Sequence, residues 1–273
     1  ITRVVVNAFF FWEQVGGLTL EYRCNPYSGL LALEMEKLGI HLHLGEYAFD
    51  RDWLEKNQKD FDVLHLNWLH HFYKANDLSS AVERFTCFAE NLSLARSLGY
   101  RIIWTIHNLF PHERQYPELD RLANLTVSQT AHGVFAHCEY SADLIRKLYF
   151  REKDLYVIPH GNFIDAYPNE VSPQKARKQL QLPEQGFVYL FFGNARVYKG
   201  IDRLIKAFRE VAEEDALMVL MMRLSVNPQY VEEIKAITAQ DERIRVFTSP
   251  YFATEDFQTY LNACDVAVLP FSE

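Results

Sequence analysis

The sequence predicts an α/β protein with parallel sheets, divided into two Rossmann-like halves that face a cleft. Three observations carry this. Apolar, β-branched runs alternate with helical patterns almost from end to end. There are about ten such strands, many for one open sheet. One stretch near residue 165 breaks the rhythm.

Residues 3–7 (RVVVN) read as the first strand. Pro26 and Ser28 open a helix with Leu31, Met35 and Leu38 on one face, and Gly39 stops it. Strands follow at 40–44 and 63–66 (VLHL), then a long helix over about 78–98. Residues 101–106 (RIIWTI) are the next strand, a helix covers 119–131, and 134–136 is a strand. A helix from Ala142 and a strand at 155–158 (LYVI) end this half. Residues 162–173 (NFIDAYPNEVSP) have two prolines and no period, and read as an interdomain linker. The expected domains are therefore 1–164 and 165–273.

Alternation resumes with strands at 188–192, 218–222, 244–247 and 266–269. Helices are expected at 202–213, 230–238 and 255–263. The first of these has a single apolar stripe of Leu204, Ile205, Phe208, Val211 and Ala212. Thr254 reads as the N-cap of the last. Residues 265–270 (DVAVLP) read as a buried strand with no helix behind it, so more of this half is expected past Glu273.

Composition is that of a folded globular chain, 49% hydrophobic and 23% charged, which excludes a disordered one. A net charge of -8 argues against nucleic acid as a partner. The four cysteines are far apart, with no CxxC pair, so neither a zinc framework nor a disulfide one is visible and a reducing, cytoplasmic compartment fits better. No uncharged apolar run reaches the length of a membrane span. His70 and His71 lack a third ligand at suitable spacing, and HNLFPHE lacks HExxH spacing, so no metal is expected.

The strongest local feature is FFGNARVYKGI, residues 191–201, between a strand and an amphipathic helix. Gly193 permits the tight turn, Arg196 and Lys199 sit on the loop, and Gly200 precedes the helix N-terminus. Two cations beside free helix N–H groups make an anion site suited to a phosphate or diphosphate. Taken alone, the same loop also fits a solvated turn with two surface cations. There is no Walker A loop, no GxGxxG and no GxSxG. Trp68, His70, His71 and Tyr73 follow the third strand, and 7–14 (NAFFFWEQ) with Gly16 and Gly17 follows the first. Aromatic rings there suit a saccharide groove, and equally a hydrophobic core at the strand ends.

GNARVYKGIDRLIKAF resembles the phosphate-binding segment of GT-B glycosyltransferases of the retaining family-4, or group 1, type. EDFQTYLNACDVAVLPFSE looks like the run before that family's donor-sugar motif, and VIPHGNF like the turn closing its first domain. NPYSGLLALEMEKLGIHL, DVLHLNWLH and IIWTIHNLFPHE look like its acceptor-domain segments. The resemblance implies a hexosyltransferase of GT-B architecture, the second domain incomplete in this chain. It implies that Arg196 and Lys199 hold the donor diphosphate with Gly193, Asn194 and Gly200. His107 matches a cleft-facing histidine near the reacting sugar, with a strand-end structural histidine as the alternative. Gly16, Gly17, Trp68 and Asn108 are implied acceptor residues. Glu273 falls near the start of the family's paired-glutamate motif and is a weak donor-sugar candidate. The Arg comes two residues later than in many relatives, where Asn194 stands instead.

The implied reaction is retaining transfer from a UDP-sugar, UDP-glucose first, or a GDP-sugar, with no cofactor or metal. The implied acceptor is a saccharide or lipid-linked saccharide in exopolysaccharide or envelope glycan assembly, with peripheral contact at the cytoplasmic membrane face. The alternatives are a non-catalytic solute- or nucleotide-binding protein and a GT-B phosphorylase or epimerase.

Overall fold

A computed structural model of the chain describes residues 2–7, 14–15, 19–20, 26–111, 114–211, 213–224, 227–250 and 252–271. The chain divides into two compact units, Ile1–Phe163 and Ile164–Glu273.

The first unit runs β1 (Thr2–Asn7), β2 (Gln14–Val15), β3 (Thr19–Leu20), α1 (Tyr27–Lys37), β4 (Ile40–Gly45), α2 (Arg51–Asn57), β5 (Val63–Leu66), α3 (His70–Tyr73), α4 (Leu78–Ser97), β6 (Arg101–Ile106), α5 (Pro117–Thr130), β7 (Gly133–Ala136), α6 (Glu139–Tyr149) and β8 (Leu155–Val157). Six strands form a parallel sheet in the order β4-β1-β5-β6-β7-β8, and β2 and β3 pair antiparallel. Val4, Val5 and Val6 bury β1 on both faces, as a central parallel strand requires. In α4, Ala81, Phe85, Phe88, Leu92 and Ala95 fall at alternating steps of four and three, one stripe on the core. Asp50 and Asp77 accept from the Trp53 and Ser80 N–H groups and start α2 and α4.

The second unit runs α7 (Pro173–Gln179), β9 (Val188–Asn194), α8 (Ile201–Arg209), β10 (Leu217–Arg223), α9 (Pro228–Thr238), β11 (Ile244–Ser249), α10 (Thr254–Ala263) and β12 (Val266–Ala267). Its sheet is parallel, in the order β11-β10-β9-β12. Met218, Leu220 and Met222 of β10 enter one core cluster, Leu217, Val219 and Met221 the other, so the strand is covered on both sides.

Several expectations are corrected. In α1 the buried residues are Ser28 and Gly29 and Leu31 and Met35 are half-buried, while Leu38 is exposed because it sits at the C-cap, past the end of the helix at Lys37. The helix after Gly200 ends at Arg209, and Ala212 lies outside the described residues. Ala253, not Thr254, holds the N-cap position of α10. β12 is exposed, because it is an edge strand paired only with β9 among the described residues. Helices α2, α3 and α7 have no counterpart in the expected elements; each is a short one of 4 or 7 residues, too brief to show a period.

Candidate functional site

Both sheets reverse their winding direction once. In the first, β4 lies on one side of β1 and β5 on the other; in the second, β10 and β12 flank β9. At such a reversal the loops leave in opposite directions and open a crevice at the carboxyl ends of the strands.

In the second unit that crevice lies at the end of β9. Gly193 has φ +132°, and a Cβ there would stand 2.7 Å from Lys199 Nζ, so the ammonium rests over bare backbone. The Lys199 N–H donates to the Arg196 carbonyl (3.0 Å) within a single 3-10 turn, Val197–Lys199. Gly200 then turns the chain into α8 at φ +64°, where a Cβ would meet the Pro270 carbonyl at 2.5 Å. Arg203 Nη2 donates to the same carbonyl (3.1 Å), and Lys199 Nζ lies 5.3 Å above the Phe271 ring. The loop is thus packed against the segment leaving β12. Burial, and then the neighbouring Arg196 charge, push the Lys199 pKa down. An anion between the two cations would relieve that repulsion. The Asn194 Oδ1 is buried with no hydrogen-bond partner. The loop therefore gathers Gly193, Asn194, Arg196, Lys199 and Gly200 at one point, beside the first N–H groups of α8.

Residues 172–273 match the family described as glycosyl transferases group 1. That match covers nearly all of the second unit, Ile164–Glu273. Over the wider chain, 213 residues are 23% identical to a GDP-mannose:glycolipid 4-beta-D-mannosyltransferase of Xanthomonas campestris pv. campestris, covering 78% of this chain and 56% of that protein. The chain thus spans about half the length of that curated relative, 56% of it. A sucrose-phosphate synthase from Thermosynechococcus elongatus superposes with a TM-score of 0.69 at 14% identity, over 99% of this chain and 76% of that one. Anabaena HepE in complex with UDP-glucose superposes with a TM-score of 0.64 at 16% identity, over 98% of this chain and 73% of that one. These likenesses establish the GT-B fold class for the chain.

The first unit has its own constellation at its sheet reversal. Asn67, just past β5, donates from Nδ2 to the Asn7 carbonyl (3.1 Å), which fixes its amide orientation. Its Oδ1 therefore accepts from His107 Nε2 at 2.9 Å. Trp68 stacks on the His107 ring, centroids 4.3 Å apart at 14°. Burial foremost, then His137, His65 and His160 nearby, bring the His107 pKa down to about 3, so the ring is neutral. Tyr27, at the start of α1, sets its ring edge-on to His107 at 4.6 Å. Asn108 is exposed beside it.

Tyr73 is not a groove residue: it is buried and donates to Asp120 Oδ1 at 2.7 Å, inside the core. His70 and His71 pair with each other on α3, rings 4.2 Å apart. Gly16, Gly17 and Glu273 lie outside the described residues, as do residues 8–13 of the first aromatic loop. His137 carries no local motif, Asn67 and Tyr27 lie in family-like segments without standing out there, and His160 reads as a turn residue in sequence. Only the order of the strands brings them to one place.

Proposed function

We propose that the chain is the larger part of a retaining hexosyltransferase acting on a nucleotide sugar. The observation that carries this is the glycine-and-cation loop at the reversal of the second sheet, within the segment that matches the group 1 family. Arg196 and Lys199 take the donor diphosphate and neutralise the charge that gathers on it as the glycosidic bond breaks. Gly193 leaves room for the Lys199 ammonium, and Gly200 lets the loop close on the Pro270 carbonyl and start α8, whose first N–H groups face the phosphates. No metal is needed for that role, because two cations already supply the charge.

The first unit takes the acceptor. His107, neutral and clamped between Trp68 and Asn67, serves there with Asn108, Gly16 and Gly17. UDP-glucose is the first donor to test, supported by the UDP-glucose complex of the structural neighbour. A GDP-sugar is the second, supported by the relative named for GDP-mannose. The acceptor is a saccharide or lipid-linked saccharide of an exopolysaccharide or envelope glycan; the glycolipid in that relative's name supports the class. The setting is cytoplasmic, with peripheral contact at the membrane face. Among the described residues no helix is long and apolar enough to cross a membrane.

Calorimetric titration of UDP, GDP and NAD tests this reading. Binding of UDP or GDP, lost in Lys199→Ala, is the expected result and names the base. Binding of NAD, or of none of the three, overturns it.

A further inference from the structure

Three histidines from separate elements converge in the first unit: His107 after β6, His137 after β7 and His160 after β8. One ring nitrogen of each lies within 4.8 Å of one from each of the others. Consecutive parallel strands end side by side: His107 and His137 directly follow β6 and β7, and His160 lies three residues past β8.

Each ring is held in one tautomer by a partner outside the cluster. His137 Nδ1 donates to the Ile158 carbonyl at 2.9 Å, and His160 Nδ1 to the Gly161 carbonyl at 2.6 Å. His107 Nε2 donates to Asn67 Oδ1, whose orientation is fixed by Asn7. Carbonyl acceptors take only N–H, so the remaining nitrogens (Nδ1 of His107, Nε2 of His137 and His160) carry lone pairs. The Nε2 of His137 is buried with no hydrogen-bond partner. A lone pair left bare in the interior costs free energy unless something binds it. Backbone and amide oxygens holding the far N–H of each imidazole are the usual outer partners of metal-ligating histidines.

We infer that these three imidazoles form a metal site for a divalent transition ion, zinc first, with its fourth position open. Ring centroids stand 5.2 Å apart for His107 and His137 and 4.9 Å for His137 and His160. Imidazoles placed tetrahedrally about zinc at 2.0–2.1 Å have centroids about 5.2 Å apart. The ligating nitrogens need to come to about 3.4 Å from one another, a modest ring rotation. Three neutral nitrogen ligands without thiolate suit zinc, cobalt, nickel or copper, and exclude magnesium and calcium. The Tyr27 ring walls the cluster at 5.7 Å from His137 and 5.1 Å from His160, while its hydroxyl is engaged by Thr105. His160 is exposed, which leaves an entry path and room for an oxygen ligand. The three ligands are 30 and 23 residues apart and share no sequence motif.

The test is zinc content after equilibrium dialysis of the whole chain, with cobalt titration read by its visible ligand-field absorption. One zinc per chain and the intense bands of four-coordinate cobalt are expected. His160→Ala removes an exposed ligand without disturbing packing, and is expected to weaken zinc binding by at least about 100-fold. His137→Gln is the second variant, its folding checked by circular dichroism. Lys199→Ala is expected to lose nucleotide but keep zinc, which separates this proposal from the transferase reading. Absence of stoichiometric zinc in the wild type, or equal zinc in wild type and His160→Ala, overturns it.

Discussion

Lys199 shows how much a single side chain depends on the bare backbone beneath it. Its Nζ occupies the space where any residue other than glycine at 193 would place a Cβ. Gly193→Ala is therefore expected to displace the ammonium and reduce nucleotide affinity in calorimetry, besides straining the φ +132° backbone. Lys199→Ala and Arg196→Ala are each expected to lose about 2–4 kcal/mol of transition-state stabilisation. Steady-state kcat/KM on a nucleotide sugar measures this, and near-wild-type turnover in either would sink the diphosphate assignment. His107→Ala is expected to show a smaller but clear loss. Unchanged kinetics would leave His107 a structural strand-end residue, held by Asn67 and Trp68 for packing alone.

At the scale of elements, the second unit is tied together by one guanidinium. Arg177 of α7 donates to the Asp265 carboxylate at 2.8 Å and to the carbonyls of Ala263, Glu184 and Gly186. Asp265 in turn accepts from the Val188 N–H at the start of β9. Arg177→Ala removes one partner of a half-exposed carboxylate and of three carbonyls, and is expected to cost about 2 kcal/mol. Urea denaturation measures it; a change under about 1 kcal/mol would mean water replaces these bonds. Gly186, at φ +99°, has no room for a Cβ against the Asp215 carbonyl, so Gly186→Ala is expected to destabilise the same corner. None of this was legible in sequence, since Arg177 and Asp265 are 88 residues apart. The strands were legible, because β-branched runs such as RVVVN announce themselves locally. So was the Gly193–Gly200 loop, whose residues are neighbours in the chain. The histidine row was not, because it exists only across strand ends. The exposure of Val266 was missed for the same reason: an apolar run tells a strand, not its place at the edge.

For the whole molecule, the two units have separate cores and are expected to answer differently to acid. His65 is buried in the first unit, its Nε2 2.7 Å from Thr105 Oγ1, and burial brings its pKa down to about 4 from 6.5. A pKa lowered on folding adds stability above pH 6.5, and that stability is lost as pH falls toward 4. The full effect is roughly 3 kcal/mol. Calorimetric scans between pH 7 and 4 should show the first unit's transition moving down, less steeply in His65→Gln. Equal slopes in wild type and variant would show that His65 does not drive the acid sensitivity.

The tie between α7 and the far end of its unit also sets an order of events during synthesis. Glu170 and Val171 offer their N–H groups to Gln258, and Asn262 reaches back to the Val171 carbonyl. A ribosome delivers the first unit whole before any of these partners exist. It then delivers α7, which must wait, half-clothed, while β9, β10 and β11 emerge. Only when residues 258–265 leave the exit tunnel does that helix find its seat. This early-made part of the second unit therefore settles only after β9, β10 and β11 have been made.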